Sequence, residues 1–226
     1  MPAYARPMRR EDISQVIEID REAFPTEWPP PSFKHELENR LAHYIVACDS
    51  DKTVDNLKLE APPDRGFAAL LSWVKRWFGK KILPDNKHQT ADNHYIIGFA
   101  GFWVMADEAH ITTIASRKEY RRQGVGELLL MSIIEMARKL KARIVTLEVR
   151  VSNIAAQTLY SKYGFAQVGV RRGYYMDNKE DGLLMSTEDI SSAQFQELIK
   201  KLKEAYTSER GRVPDRCGNH INSIPQ

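Results

Sequence analysis

Apolar positions in residues 11–24 recur at helical spacing: Ile13, Val16, Ile17 and Phe24 stand among charges, and the period stops at Pro25. The run Phe24-Pro25-Thr26-Glu27-Trp28-Pro29-Pro30-Pro31 cannot prolong a helix, because each proline removes a donor and restricts the residue before it. A short second helix is predicted from Ser32 to about Arg40. Tyr44–Cys48, Tyr95–Met105 and His110–Ala115 read as strands rich in Ile, Phe and Val. After a turn at Arg121–Gly126 comes the strongest helix, Glu127 to Lys141, with Leu128, Leu129, Met131 and Ile134 on one stripe. Arg143–Val151 then alternates, with Val145, Leu147, Val149 and Val151 on one face and Ile144, Thr146, Glu148 and Arg150 on the other. A helix from Asn153 to Tyr163 should stop at Gly164, and Phe165–Val170 and Gly182–Met185 read as closing strands. This order predicts an α/β domain on one mixed sheet.

Two stretches stand apart from that pattern. Residues 49–93 separate strands that a short hairpin would normally join, and they are too long for a plain loop. Within them Phe67, Leu70, Leu71, Val74, Trp77 and Phe78 recur at helical spacing, and Arg65 to Lys81 holds five positive residues and no acid. Such a basic amphipathic helix can dock on protein or lie in an anionic membrane interface, and docking is the favoured reading. Residues 191–226 predict an amphipathic helix carrying Phe195, Leu198, Ile199, Leu202 and Tyr206, followed by a polar, flexible tail from Ser208. The organisation expected is one domain over 1–190 with an insertion at 49–93, and then this C-terminal segment.

The composition, 42% hydrophobic and 28% charged, is that of a globular chain and excludes wholesale disorder. The sequence pI of 8.8 suggests nucleic acid only until the net charge of +3 is apportioned. The insertion holds eight basic and seven acidic residues and the tail six and four, so the remainder is neutral. No aromatic-basic motif supports nucleic-acid binding. Cys48 and Cys217 fit no metal spacing, the N-terminal residues carry no apolar signal core, and the longest apolar run, Ile96 to Ala106, is too short to span a bilayer. A cytoplasmic setting is expected.

Three units carry candidate chemistry. Arg121-Arg122-Gln123-Gly124-Val125-Gly126 opens a helix, and its glycines, free N–H groups and positive dipole end suit a pyrophosphate. It is neither a dinucleotide fingerprint nor a P-loop, and a Gly-x-Gly turn before a helix is also ordinary structure. In Leu147-Glu148-Val149-Arg150-Val151-Ser152-Asn153 a carboxylate interrupts an apolar strand; the plain alternative is an ion pair between Glu148 and Arg150. In Leu159-Tyr160-Ser161-Lys162-Tyr163-Gly164-Phe165, Tyr160 alone reads as a packing residue before it reads as a catalyst.

Taken together, Arg-x-x-Gly-x-Gly, Leu-Glu-Val-Arg with Ser-Asn, and Leu-Tyr with Gly-Phe resemble the GCN5-related N-acetyltransferase (GNAT) superfamily. The wording Asp107-Glu108-Ala109-His110-Ile111, Leu147-Glu148-Val149-Arg150 and Tyr174-Tyr175 is similar to the RimI type, the bacterial ribosomal-protein-alanine N-acetyltransferases and their archaeal N-terminal acetyltransferase relatives. The resemblance covers about residues 6–48 and 94–190. It implies a central mixed, mostly antiparallel sheet flanked by helices, and an acetyl-CoA-dependent enzyme without a metal. It places Ile114, Ala115, Ser116, Arg121, Arg122, Gln123, Gly124, Val125, Gly126 and Asn153 on the cofactor. Glu148 takes the role of general base and Tyr160 that of the acid that protonates the departing thiolate. The resemblance also implies that Phe24, Pro25, Trp28, Tyr174 and Tyr175 frame the acceptor, a protein N-terminus such as that of a ribosomal protein; Phe24 and Trp28 read equally as a hydrophobic staple between helices, and the Tyr pair as strand residues of an edge hairpin.

The chemistry suits these residue types. An α-amino group has a pKa of about 7.7–8.0 against about 10.4 for lysine, so a carboxylate base has the easier task with an N-terminus. Direct transfer in a ternary complex is expected. The competing readings are acetylation of a small amine or lysine side chain, and a non-catalytic cofactor-binding or scaffold protein. Three departures bear on the acceptor: Ser116-Arg117-Lys118 where the family has Val-Asp-Pro, a longer loop at Asp177–Asp181, and the insertion.

Overall fold

The computed structural model describes residues 3–24, 32–54 and 94–210. The chain divides into two units, 1–50 with 96–226 and 51–95. The predicted basic helix at 65–81 and the polar stretch beyond residue 210 lie outside the described residues, as do Pro25 and Trp28.

The first unit is organised on a seven-stranded sheet in the order β1-β2-β3-β4-β5-β7-β6. Its strands are β1 (Ala3–Pro7), β2 (Ala42–Thr53), β3 (His94–Met105), β4 (Glu108–Ser116), β5 (Ile144–Arg150), β6 (Phe165–Tyr175) and β7 (Glu180–Thr187). β4 and β5 run parallel, while β1–β2, β3–β4, β5–β7 and β6–β7 are antiparallel. The helices are α1 (Ile13–Ala23), α2 (Phe33–Glu36), α3 (Val125–Lys139), α4 (Ile154–Lys162) and α5 (Ala193–Arg210). This is the mixed, mostly antiparallel sheet with flanking helices that the motif order predicted.

α1 starts beside Asp12, whose carboxylate accepts from the Arg9 N–H at 2.7 Å, and it ends before the proline run. Asp12 also binds the buried guanidinium of Arg6 through two bonds of 2.6 and 2.8 Å. That pair hides β1 from sequence reasoning, since an arginine inside a five-residue segment does not read as a strand. α2 ends at Glu36, earlier than the predicted Arg40. The cause is Asn39, whose side chain accepts from Leu41 N at 3.0 Å while its carbonyl accepts from Ala42 N, turning the chain into β2. Phe33 stands edge-on to both Tyr44 and Phe99 with centroids 5.7 Å apart, in a core with Tyr4, Val16, Ile19, Val46 and Ile96.

Gly164 closes α4 at φ +83°, as its position predicted. α5 buries Phe195, Ile199 and Tyr206, the predicted apolar stripe, with Leu198 and Leu202 half-buried. Its Lys203 pairs with Glu135 of α3 at 2.8 Å, and Tyr206 Oη donates to the Gly124 carbonyl at 3.3 Å. The helix beyond the closing strand therefore runs along α3 to the start of that helix. None of the described helices is long and apolar enough to cross a membrane.

Candidate active site

The site begins where the sheet stops pairing. β4 and β5 are in register from Glu108↔Ile144 to Ile111↔Leu147 and pair no further. At that point Thr112 has no partner opposite on β3, because the register shifts between Gly101↔Thr113 and Phe102↔Ile111. A bulge adds twist and bends its strand. Beyond it Ile114, Ala115 and Ser116 remain paired to β3 on one side only, and their other edge faces the gap.

The predicted phosphate turn stands past the end of β4. Gly124 precedes α3 at φ +86°, and Arg122 also takes a left-handed φ of +62°. Those two positive angles aim the chain into the helix, whose first N–H groups lack intrahelical acceptors. Arg121, Arg122 and Gln123 are exposed, and a methyl group at Gly126 would meet only ordinary contact, 3.5 Å from Leu159. These features fit a pyrophosphate. Asn153 caps α4, its side chain accepting from Ala156 N at 3.1 Å. No residue of α4 is fully buried, and Tyr160 is among its half-buried residues. The fixed point of α4 is Glu127 of α3, which accepts from Tyr163 Oη at 2.9 Å and pairs with Lys162.

Glu148 lies on β5 one residue past the last β4 pair, and only 4% of its side chain is exposed. The suspected ion pair with Arg150 does not form. Arg150 instead binds Asp177 at 2.8 Å and Glu180 at 3.2 Å. Glu148 Oε2 is 3.1 Å from His110 Nε2, and Oε1 is 3.0 Å from Arg171 Nη1 without the alignment of a hydrogen bond. Oε1 is thus a buried acceptor ion-paired with Arg171 but without a hydrogen bond. His110 Nδ1 is 2.9 Å from Thr146 Oγ1, and that hydroxyl donates to Glu108.

Tyr174 and Tyr175 meet edge-to-face with centroids 5.2 Å apart, at the end of β6. Both phenols are raised by burial, and the charge of Glu148 raises both further. Burial pushes Tyr160 up to about 12, with Tyr175 adding to it, so the hydroxyl stays protonated at neutral pH. Glu148 thus acts electrostatically on Tyr174 and Tyr175, and Tyr175 on Tyr160. Phe24, the last residue of the first helix-to-helix loop to be described at that end, is 44% exposed.

Sequence reasoning missed His110, Thr146, Glu108 and Arg171 as neighbours of Glu148. The period-two alternation put Thr146 and Glu148 on one face, but the β4–β5 register that adds Glu108 and His110 was not legible. Among the described residues no group of three or more His, Cys, Asp or Glu side chains could hold a metal ion.

The acetyltransferase (GNAT) family profile matches residues 59–165. A Bacillus subtilis protein named as a ribosomal protein bS18-alanine N-acetyltransferase is 37% identical over 184 residues, covering 81% of this chain and 93% of its own. The chain belongs to the GNAT acetyltransferase family. A second GNAT relative, an N-alpha-acetyltransferase of Sulfurisphaera tokodaii, is 31% identical over 182 residues, covering 80% of this chain and 90% of its own. The crystal structure of the Escherichia coli ribosomal-protein-S18-alanine N-acetyltransferase shares the GNAT fold with a TM-score of 0.58 at 22% identity. That match covers 85% of this chain and 97% of the other.

Proposed function

We propose that this GNAT protein transfers the acetyl group of acetyl-CoA to the α-amino group of a protein N-terminus, as the names of its bacterial and archaeal relatives describe for them. The observation that carries the reading is the position of Glu148: a buried carboxylate with one oxygen that has no hydrogen bond, at the point where two parallel strands part. The parted edge of β4 at Ile114, Ala115 and Ser116 offers backbone groups to the extended arm of the cofactor and to its thioester carbonyl. The turn Arg121, Arg122, Gln123, Gly124, Val125 and Gly126 receives the pyrophosphate, and Asn153 borders the same opening.

Glu148 then accepts the proton of the acceptor amine, and the neutral amine attacks the thioester carbon. The tetrahedral adduct expels the thiolate, which takes the proton of Tyr160, protonated at neutral pH, and the proton shed by the new amide nitrogen restores the phenol. Tyr174, Tyr175 and Phe24 are assigned to the acceptor side; Pro25 and Trp28, which the family resemblance adds to it, lie outside the described residues. An acceptor N-terminus is preferred over lysine because its amine loses a proton near neutral pH. A ribosomal protein is the acceptor class that the Bacillus subtilis relative points to.

The test mixes the full chain with acetyl-CoA and an Ala-starting peptide, and separately with the same peptide blocked at its N-terminus but carrying lysine. Thiol release and mass spectrometry should find one acetyl group on the free N-terminus. Acetylation of the blocked peptide at a comparable rate would replace this reading with lysine acetylation.

A further inference from the structure

α5 lies beyond residue 190, where the family resemblance ends, and its last turns reach the turn before α3. Two side chains make that contact. Tyr206 is buried, and its Oη donates to the Gly124 carbonyl at 3.3 Å. Arg210, one helical turn on, holds its guanidinium carbon 5.7 Å from the centre of the Tyr206 ring. Its Nε and Cζ stand 2.5 and 2.8 Å from where a β-carbon of Gly124 would be. Arg210 thus occupies the space that the missing side chain of Gly124 leaves.

The Nε–H of Arg210 is shielded from solvent and has no acceptor. The Gly124 carbonyl beside it already accepts twice, from Leu128 N at 2.9 Å and from Tyr206 Oη. A carbonyl oxygen has two lone pairs, so none is left for Arg210. The charges around the turn make the same demand. Arg121 and Arg122 are exposed in it, and the first N–H groups of α3 add the positive end of a helix dipole, which repels cations. Among the described residues none of these three arginines is ion-paired with an acid. Glu127, the acid of the first turn of α3, is held by Lys162 and Tyr163, and Glu204 and Glu209 of α5 are exposed. A shielded donor without an acceptor and three unpaired cations at a helix start call for an anion with several oxygens.

We propose that Arg210 is a ligand of the acetyl-CoA pyrophosphate, brought by the C-terminal helix to the turn Arg121–Gly126. The inference rests on the cofactor placement proposed above. A pyrophosphate presents oxygens in several directions, so it can accept from helix N–H groups and from a guanidinium at once. The planar fork of an arginine matches a pair of phosphate oxygens, where a lysine would offer a point charge. Arg210 is positioned before the cofactor arrives, because the Tyr206 bond to Gly124 and the Lys203–Glu135 pair hold α5 along α3. A helix outside the acetyltransferase core thereby sets the affinity for the cofactor and leaves the reacting groups at Glu148 and Tyr160 alone.

The experiment titrates CoA into the full-length wild type, R210Q and R210K by calorimetry, and repeats each titration with dephospho-CoA and at raised salt. CoA should bind R210Q about tenfold more weakly than wild type, the loss of one charge-assisted contact. R210K, which keeps the charge and loses the fork, should fall between them. The same deficit with dephospho-CoA supports a contact with the pyrophosphate. A deficit seen with CoA alone moves the contact to the 3′-phosphate and overturns the assignment. The gap between wild type and R210Q should narrow as salt rises from about 0.05 to about 0.5 M, because a partly exposed charge pair is screened. A gap that salt leaves unchanged means that Arg210 acts by packing, and equal affinities mean that it does not touch the cofactor; either result overturns the inference. Wild type that binds no CoA overturns the cofactor placement and this inference together. None of these titrations needs an acceptor, so a failure of the N-terminal transfer proposed above is read separately.

Discussion

The guanidinium of Arg150 lies 3.9 Å from the centre of the Tyr175 ring while binding Asp177 and Glu180. One cation thus pins the loop after β6 to the end of β5 and fixes one of the two tyrosines that end β6. Ser152 N joins the same cluster by donating to Glu180 at 2.7 Å. The Arg150→Ala variant should free the loop and lose the ring contact. We expect a several-fold rise in KM for peptide with kcat for saturating peptide less affected, measured by steady-state kinetics.

Glu180 gives that loop a defined pH response. The Ser152 hydrogen bonds hold its carboxyl down at about 2, with Asn178 and Arg150 contributing, against an ordinary value of about 4.3. A folded-state value below the unfolded one means stability that is complete above the unfolded value and lost as pH falls toward about 2. The difference in Tm between wild type and Glu180→Gln should therefore be constant above about pH 5 and shrink as pH falls below that. A difference that grows on acidification would contradict the assignment.

Glu148→Gln and Tyr160→Phe should each lower kcat by about 10²–10⁴-fold while the affinity for acetyl-CoA, measured by calorimetry, stays close to wild type. Because Tyr160 titrates at about 12, the rate should show no decline from loss of its proton up to about pH 10. A high-pH decline near the usual phenol value of about 10 would show that Tyr160 sits in water.

Asp12→Ala should be the most destabilising of these changes. Arg6 is 4% exposed, and removing its partner leaves a buried guanidinium uncompensated, at a cost of about 3–5 kcal/mol. Denaturant unfolding at neutral pH checks this, and a loss under about 1 kcal/mol would mean that water reaches Arg6.

Gly124→Ala tests the turn before α3. The left-handed φ of +86° disfavours any side chain, and a methyl group would stand 2.5 Å from Arg210 Nε. The expected loss is more than about 1 kcal/mol, with weaker binding of CoA in the same calorimetric assay.

Most helices and strands were legible because their apolar periods are long and are closed by Pro25 or Gly164. The five-residue β1 was not, because its one charged residue is neutralised by Asp12, six positions away, which only the fold reveals as its partner. At the site, Glu148 stood out inside an apolar strand and the turn at Gly124 carried its own signal, while Tyr160 was singled out only by the family resemblance. His110 and Thr146 did not, since what joins them to Glu148 is the register between strands separated by α3. The bland ion pair of Glu148 with Arg150 was the natural guess from two residues on one strand face. The loop at Asp177–Glu180 takes Arg150 away and leaves Glu148 to the neighbouring strands.

A seven-stranded open sheet has two free edges, and the parting of β4 from β5 gives this one two more in its middle. Exposed edges invite any extended chain to pair with them. Here the exposed edges lie inside the sheet, past the Ile111–Leu147 pair, where the extended cofactor arm proposed above would bring its own amide groups. On the function proposed above, such binding would complete the sheet and join substrate binding to fold completion. A protein deprived of that ligand should therefore exchange the amide hydrogens of Thr112 to Ser116 faster than the flanking strand segments.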